Sequence, residues 1–240
     1  MDTERKIIVA LDTDVEQARS LALALKGTDC WLKVGMTLYY SAGPGIVAEL
    51  KDKGFNIFVD LKLHDIPHQV RGAACSVVKA GADMLSVHAS GGEDMMKAAC
   101  EGALMGFVET GPDPDRKFPL CLAITVLTSL DTQALESTGI SDEAEIQVLR
   151  LGMLAYKAGM QGVVCSPQEA TMLRQQLGNK LTIVTPGIRP IGSVSGDQAR
   201  VATPASALGA GADYLVIGRP ITEAEDPRAA FEAIVEEMEK

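Results

Sequence analysis

Eight short β-rich runs, separated by segments that mostly carry helical periodicity, constrain this chain more than any other feature. The candidate strands are 7–12, 31–35, 57–62, 84–89, 120–127, 162–166, 182–185 and 214–218. Amphipathic stretches such as 15–25, 70–80, 143–158 and 167–177 lie between most of them. That alternation is the mark of a parallel sheet with helical crossovers. Eight β/α units in 240 residues favour a closed (β/α)8 TIM barrel, with residues 1–240 read as a single domain. No candidate strand is followed by G-x-G-x-x-G, which argues against a dinucleotide-binding sheet. The joints are punctuated to match. Lys79-Ala80-Gly81 and Lys157-Ala158-Gly159 each put a cation and then a glycine at a helix end. Gly211-Ala212-Asp213 repeats the Gly81-Ala82-Asp83 step, and Asp226-Pro227 opens the last helix as N-cap and first helical residue.

Charge narrows the function classes. Twenty-two Lys and Arg stand against 32 Asp and Glu, a formal net charge of −10. Nonspecific nucleic-acid binding, which needs a basic stripe, is therefore not expected. One small phosphorylated ligand is still compatible, since a few local cations and backbone N–H groups can hold a phosphate. The five cysteines are scattered without C-x-x-C, and the three histidines give no H-E-x-x-H motif, so no metal site is expected. The charged start and the lack of any long apolar run predict a soluble, cytoplasmic protein with no membrane partner.

In a barrel, function sits at the C-terminal ends of the strands. Strand three reads Asp60-Leu61-Lys62-Leu63-His64-Asp65, and period-two alternation puts Asp60 and Lys62 on the interior face. The same alternation turns Asp12 and Lys33 inward on strands one and two. Four alternating charges on adjacent strands can be tolerated inside only when paired. A purely structural ion-pair cluster is the competing reading; placement of all four at the functional edge favours a site. Asp65 lies just beyond, on the loop before Pro67. His88 shares a face with Met84 and Ser86, and is read as a packed ring ahead of an acid–base group, since a lone histidine names no reaction. His64 and His68 flank the loop and carry less.

A second cluster suits phosphate. Thr185-Pro186-Gly187-Ile188-Arg189 ends strand seven, and Gly218-Arg219 ends strand eight, where these barrels commonly hold phosphate. Glycine admits close backbone approach, and an arginine fork matches phosphate oxygens. The small polar segment 192–198, ending in Gln198, has the composition of a mobile lid.

With these residues in hand, the chain resembles the orotidine 5′-phosphate decarboxylase family. The likeness runs through Val9-Ala10-Leu11-Asp12, Lys33-Val34-Gly35, Asp60-Leu61-Lys62-Leu63-His64-Asp65-Ile66-Pro67, Val87-His88-Ala89-Ser90-Gly91-Gly92, Leu127-Thr128-Ser129, Thr185-Pro186-Gly187-Ile188-Arg189-Pro190 and Gly218-Arg219. The resemblance implies decarboxylation of orotidine 5′-monophosphate to UMP without a cofactor. Lys62 would protonate C6, Asp60 would lie beside the leaving carboxylate, and Asp65 of the other subunit of a homodimer would help hold Lys62. Lys33 and Asp12 would contact the ribose, and Thr128 the pyrimidine edge. Gln198 would bridge base and phosphate, with Arg219, the Gly218 backbone and Arg189 at the phosphate end. Ile66 and Pro186 join the ligand-contacting set. Gln69 stands where the family usually has threonine, a longer donor at the expected cross-subunit contact.

Two rivals stay open. Metal-dependent sugar-phosphate decarboxylases and aldolases on this barrel resemble it in D-x-K-x-x-D but carry an acidic residue where this chain has Lys33, and Mg2+ wants oxygen ligands. A non-catalytic nucleotide-phosphate-binding barrel would keep the phosphate cradle, though loss of Asp60 or Lys62 would be its signature.

Overall fold

β1 (Ile7–Leu11) pairs in parallel with two neighbours, Ile8 lying opposite Trp31 on one side and Val216 on the other, and this double pairing closes the sheet. In the computed structural model, which describes residues 3–114, 116–191 and 202–239, the eight strands stand in chain order around a closed barrel. The others are β2 (Trp31–Gly35), β3 (Asn56–Leu63), β4 (Met84–His88), β5 (Leu120–Ile124), β6 (Gly162–Val164), β7 (Thr182–Thr185) and β8 (Tyr214–Ile217). All eight expected strands are present. β5 and β6 stop two or three residues short of expectation, at Ile124 and Val164. There the Val164 carbonyl accepts both the N–H and the hydroxyl of Thr125, at 3.1 and 2.8 Å, and the ladder ends.

Helices fill the crossovers: α1 (Val15–Ala24), α2 (Met36–Ala42), α3 (Gly45–Lys51), α4 (Pro67–Lys79), α5 (Glu93–Glu109), α6 (Thr132–Ser137), α7 (Ala144–Lys157), α8 (Pro167–Leu177), α9 (Pro204–Gly209), α10 (Arg219–Thr222) and α11 (Pro227–Met238). Their ends follow local chemistry. Asp14 and Asp226 accept the N–H groups of Gln17 and Ala229 as N-caps, and Ser166 and Glu169 form a buried capping box at the start of α8. Among the described residues no helix is long and apolar enough to cross a membrane.

Alternation along the strands sorts the side chains. Outward residues such as Val9, Leu32, Val34, Ile57 and Val59 pack against the helices in the main core. Inward, Ile8, Phe58, Met84, Leu122 and Val184 plug the barrel with hydrocarbon. Going toward the C-terminal edge, β3 continues from Phe58 to Asp60 and Lys62, and β4 from Met84 to Ser86 and His88. The interior therefore turns from apolar to charged within one strand length.

The opposite edge explains the repeated Gly-Ala-Asp step. Gly81 and Gly211 hold positive φ, 109° and 105°, past the ends of α4 and α9. The aspartates that follow accept strand N–H groups, Ile57 to Asp83 at 2.7 Å and Ile183 to Asp213 at 2.8 Å. Each also binds a cation on a neighbouring helix, Lys51 or Arg174. Conformation and charge together tie the barrel floor, leaving the other edge for chemistry.

α4 and α5, which follow β3 and β4, approach closely at two glycines one turn apart. A Cβ at Gly102 would lie 2.1 Å from the Arg71 carbonyl oxygen, and one at Gly106 2.5 Å from that of Cys75. Alanine would gain about 0.5–1 kcal/mol in helix preference, but forcing two backbones apart costs about 1–3 kcal/mol. Gly102→Ala is therefore expected to lower the urea midpoint with little change in slope; an unchanged or raised midpoint would contradict the close-packing account.

Candidate active site

The site begins with an irregularity in β3. Val59 lies opposite Leu85, yet Leu63 lies opposite Val87, so β3 spends four residues where β4 spends two. Lys62, inside the bulge, has φ 51°, the single positive φ outside glycine among the described residues. For a residue with a Cβ this conformation costs roughly 1–2 kcal/mol. Strain of that size persists where the surroundings over-determine it.

Those surroundings are a chain of alternating charges. Lys33 Nζ meets Asp12 Oδ1 at 2.7 Å and Asp60 Oδ2 at 3.6 Å, and Lys62 Nζ meets the same Asp60 oxygen at 2.8 Å. The other Asp60 oxygen accepts the Ser86 hydroxyl at 2.7 Å. Side-chain exposure rises from 8% at Lys33 and 9% at Asp60 to 27% at Lys62 and 59% at Asp12, so the network runs from the barrel interior to the cavity mouth. The four charged residues inferred from alternation do converge.

Burial pushes the Asp60 carboxyl upward, but the positive charges of Lys33 and Lys62, with hydrogen bonds from Lys62 and Ser86, hold it below the ordinary carboxylate range. It is an anion at neutral pH. His88 is shifted down by burial, by His64 and by Lys62, against the opposing pull of Asp60. Its ring lies 5.4 Å from that of His64, so it is a neutral, packed ring beside the network at pH 7.

Above the network is a cavity of about 560 Å³, a volume suited to a nucleotide-sized ligand. Asp12, Lys33, Asp60 and Lys62 line one side; Pro186, Gly187, Arg189, Gly218 and Arg219 line another, with Thr128 between. Gly187 holds φ 79°, and the Arg189 N–H donates to the Ala202 carbonyl at 2.9 Å, fixing the loop after β7. Asp65, Ile66 and Gln69 do not line this cavity. They are exposed on the loop after β3 and the first turn of α4, and Asp65 Oδ1 accepts the Ile66 N–H at 2.6 Å. Gln198, with the inferred lid 192–198, lies outside the described residues.

Several lining or supporting residues escape sequence reasoning. Gln17 on α1 and Glu223 after α10 face the cavity, and nothing in their local patterns singles them out. Gly35 has a steric role: a Cβ there would fall 2.4 Å from Asp12 Oδ1 and 3.0 Å from Lys33 Nζ, inside their ion pair. The signal available was its place directly after Lys33-Val34 at a strand end.

Asp60→Asn tests the electrostatics. With its folded pKa depressed, Asp60 adds stability in full above about pH 4, its unfolded range. That contribution is lost as pH falls through the folded value. The variant is expected to be about 1–3 kcal/mol less stable at neutral pH, with the gap closing on acidification. Urea unfolding at both pH values checks this; a gap independent of pH would contradict it.

Relatives share this architecture over nearly the whole chain. A profile described as "Orotidine 5′-phosphate decarboxylase / HUMPS family" matches residues 5–234. Orotidine 5′-phosphate decarboxylase of Moorella thermoacetica is 48% identical, the match covering 100% of this chain and 94% of the relative. The enzyme of Nitrosococcus oceani is 49% identical, over 97% of each. The crystal structure of orotidine 5′-phosphate decarboxylase from Lactobacillus acidophilus superposes with a TM-score of 0.83 at 38% identity, covering 98% of this chain and 99% of that one. Fold, charge network and full-length similarity agree: the chain belongs to the orotidine 5′-phosphate decarboxylase / HUMPS family.

Proposed function

We propose that this protein decarboxylates orotidine 5′-monophosphate to UMP and CO2, a step of pyrimidine nucleotide synthesis, without metal or organic cofactor. One observation carries the reading: a buried carboxylate, Asp60, clamped by two ammonium groups at 2.8 and 3.6 Å, at one end of a cavity lined elsewhere by Arg189, Gly218 and Arg219. In the proposed reaction the C6–carboxylate bond breaks, CO2 departs, and the electron pair stays on C6. A proton from Lys62 Nζ then forms the C6–H bond, and solvent restores the ammonium. Fixed positive charge at Lys62 stabilises the developing carbanion without reorganisation at the moment of reaction. The substrate carboxylate, placed near Asp60, meets a like charge that its loss as CO2 relieves. Lys33 and Asp12 take the ribose, Thr128 the pyrimidine edge, and the β7 and β8 loops the phosphate, whose binding energy positions the reacting end. Pro186 belongs to that phosphate-side wall.

The metal-dependent sugar-phosphate chemistry also found on this barrel is disfavoured by Lys33, an ammonium in ion-pair contact with both Asp12 and Asp60. A non-catalytic nucleotide binder is disfavoured by the complete Asp–Lys–Asp–Lys chain. The direct test is loss of orotidine 5′-monophosphate absorbance with purified protein in EDTA. Conversion to UMP is expected, and Lys62→Ala should lower kcat by at least about 10²–10⁴-fold while keeping the fold. No conversion by the folded wild type, or near-normal turnover by the folded variant, would overturn the assignment.

The same reading makes the protein a cytoplasmic homodimer in which Asp65 serves the partner's Lys62, with Ile66 and Gln69 reaching the partner's ligand. Within one chain Asp65 makes no ion pair among the described residues, and Ile66 and Tyr40 are 63% and 74% exposed on the connections after adjacent strands. Subunit mixing tests it. Lys62→Ala and Asp65→Ala proteins, each inactive alone, should recover roughly a quarter of wild-type sites when exchanged into mixed dimers, because a two-fold dimer then holds one intact site. Absence of recovery in demonstrated mixed dimers would place Asp65 in its own subunit's site.

A further inference from the structure

Ser86 is fully enclosed on β4, 1% exposed, and its hydroxyl lies opposite the bulge in β3. Regular pairing would satisfy the β3 backbone through the ladder, but the bulge removes the Lys62 N–H from that register. The Ser86 oxygen accepts this N–H at 3.0 Å and donates its own proton to Asp60 Oδ1 at 2.7 Å. A hydroxyl has one proton. With a backbone N–H arriving at its oxygen, the proton is left for the carboxylate, so the direction of both bonds is fixed.

Building on the proposed decarboxylation, we propose that Ser86 is a positioning residue for that reaction, holding the proton donor and its carboxylate partner in register through one hydroxyl. It bonds the left-handed Lys62 backbone and the neighbouring Asp60 side chain together. That leaves Asp60 Oδ2 turned toward Lys62 Nζ and Lys33 Nζ, the contacts at 2.8 and 3.6 Å. Ser86 is not among the residues lining the cavity, so its action is through Asp60 and Lys62 rather than on the substrate. The arrangement also accounts for a serine in a run otherwise made of Met84, Leu85 and Val87: an apolar residue there would leave a buried N–H without an acceptor and an anion short of a donor.

The experiment compares kcat, KM, UMP affinity and the pH dependence of kcat for wild type, Ser86→Ala, Ser86→Cys and Ser86→Thr, with unfolding midpoints recorded for each. Misplacing reacting groups by an ångström can cost about 10²-fold. Ser86→Ala is expected to lose kcat on that scale, with KM and UMP affinity changed less than about threefold, since the phosphate contacts are untouched. The acid limb of kcat should move to higher pH, because the Asp60 anion has lost a donor. Ser86→Thr, which keeps the hydroxyl, should recover most of the rate and return the limb. Ser86→Cys, nearly isosteric with a weak donor, should fall between and stands in if the alanine variant does not fold. Unchanged kcat in a folded Ala or Cys variant overturns the proposal. So does a loss shared equally by kcat and UMP affinity with an unmoved pH limb, which is what a merely structural role gives. A wild type inert toward orotidine 5′-monophosphate overturns the reaction assignment itself, and this inference with it, whereas an active wild type with an indifferent Ser86 overturns this inference alone.

Discussion

The Asp60 carboxylate is the point on which the upper half of the barrel depends. An anion this enclosed is costly to desolvate, and it persists because Lys33 and Lys62 approach one oxygen while Ser86 donates to the other. Remove it and two ammonium groups face each other across the barrel mouth. Keep it, and both lysines have a shared carboxylate oxygen to meet. Lys33 is further held by Asp12, whose approach requires that residue 35 have no side chain. Lys62 is held by a backbone conformation that only its neighbours can enforce. The network is thus a mutual constraint, in which every charge is both the reason another is tolerated and the means of placing it.

The rest of the fold serves this edge by making the other one rigid. The floor is tied by Asp83 and Asp213, each accepting a strand N–H and a cation. Above it the hydrocarbon layer of Ile8, Phe58, Met84, Leu122 and Val184 seals the barrel. Charges placed on that layer have buried hydrocarbon beneath them, so their fields are less screened than at a surface. Behind β3 and β4, α4 and α5 are drawn close at Gly102 and Gly106, fixing the two strands whose mismatch creates the bulge.

What was legible in the sequence follows from which rules have a residue-type signal. Period-two alternation placed Asp60, Lys62 and Lys33 inside, and the barrel rule placed the functional edge, so strand count, closure and the charge network were all readable. The repeated Gly-Ala-Asp step was visible, but its purpose depends on which N–H groups stand free at the floor, which is a tertiary fact. The two helices between β2 and β3 are not among the stretches singled out by periodicity, although Gly43-Pro44 marks the break between them, with Gly43 at φ 72°. Nothing in the residue types announces the bulge: lysine is not a residue that signals a left-handed backbone, and the slip is a property of two strands together. For the same reason Ser86 reads in the sequence only as a residue sharing a strand face with Met84 and His88, and Gly35 only as the end of Lys33-Val34-Gly35. The roles of Asp65, Ile66 and Gln69 come from the family resemblance, since these residues are exposed on the loop after β3 and the first turn of α4, outside the cavity, and local patterns assign them none.

In the proposed cofactor-free reaction, stabilisation of charge at C6 comes from groups already oriented before the substrate arrives, because reorganising them during the reaction would consume the gain. A flexible lysine on a regular strand would meet that need poorly, since its four-carbon stem samples many positions. Here the bulge turns the backbone, Ser86 secures the turned N–H, and Asp60 fixes the ammonium end, so the side chain is held at both ends. The local strain at Lys62 is small beside what a misplaced Lys62 would cost the proposed reaction in rate. It can be sustained because the strained residue is bonded to a buried hydroxyl through its backbone N–H and to a buried carboxylate through its ammonium.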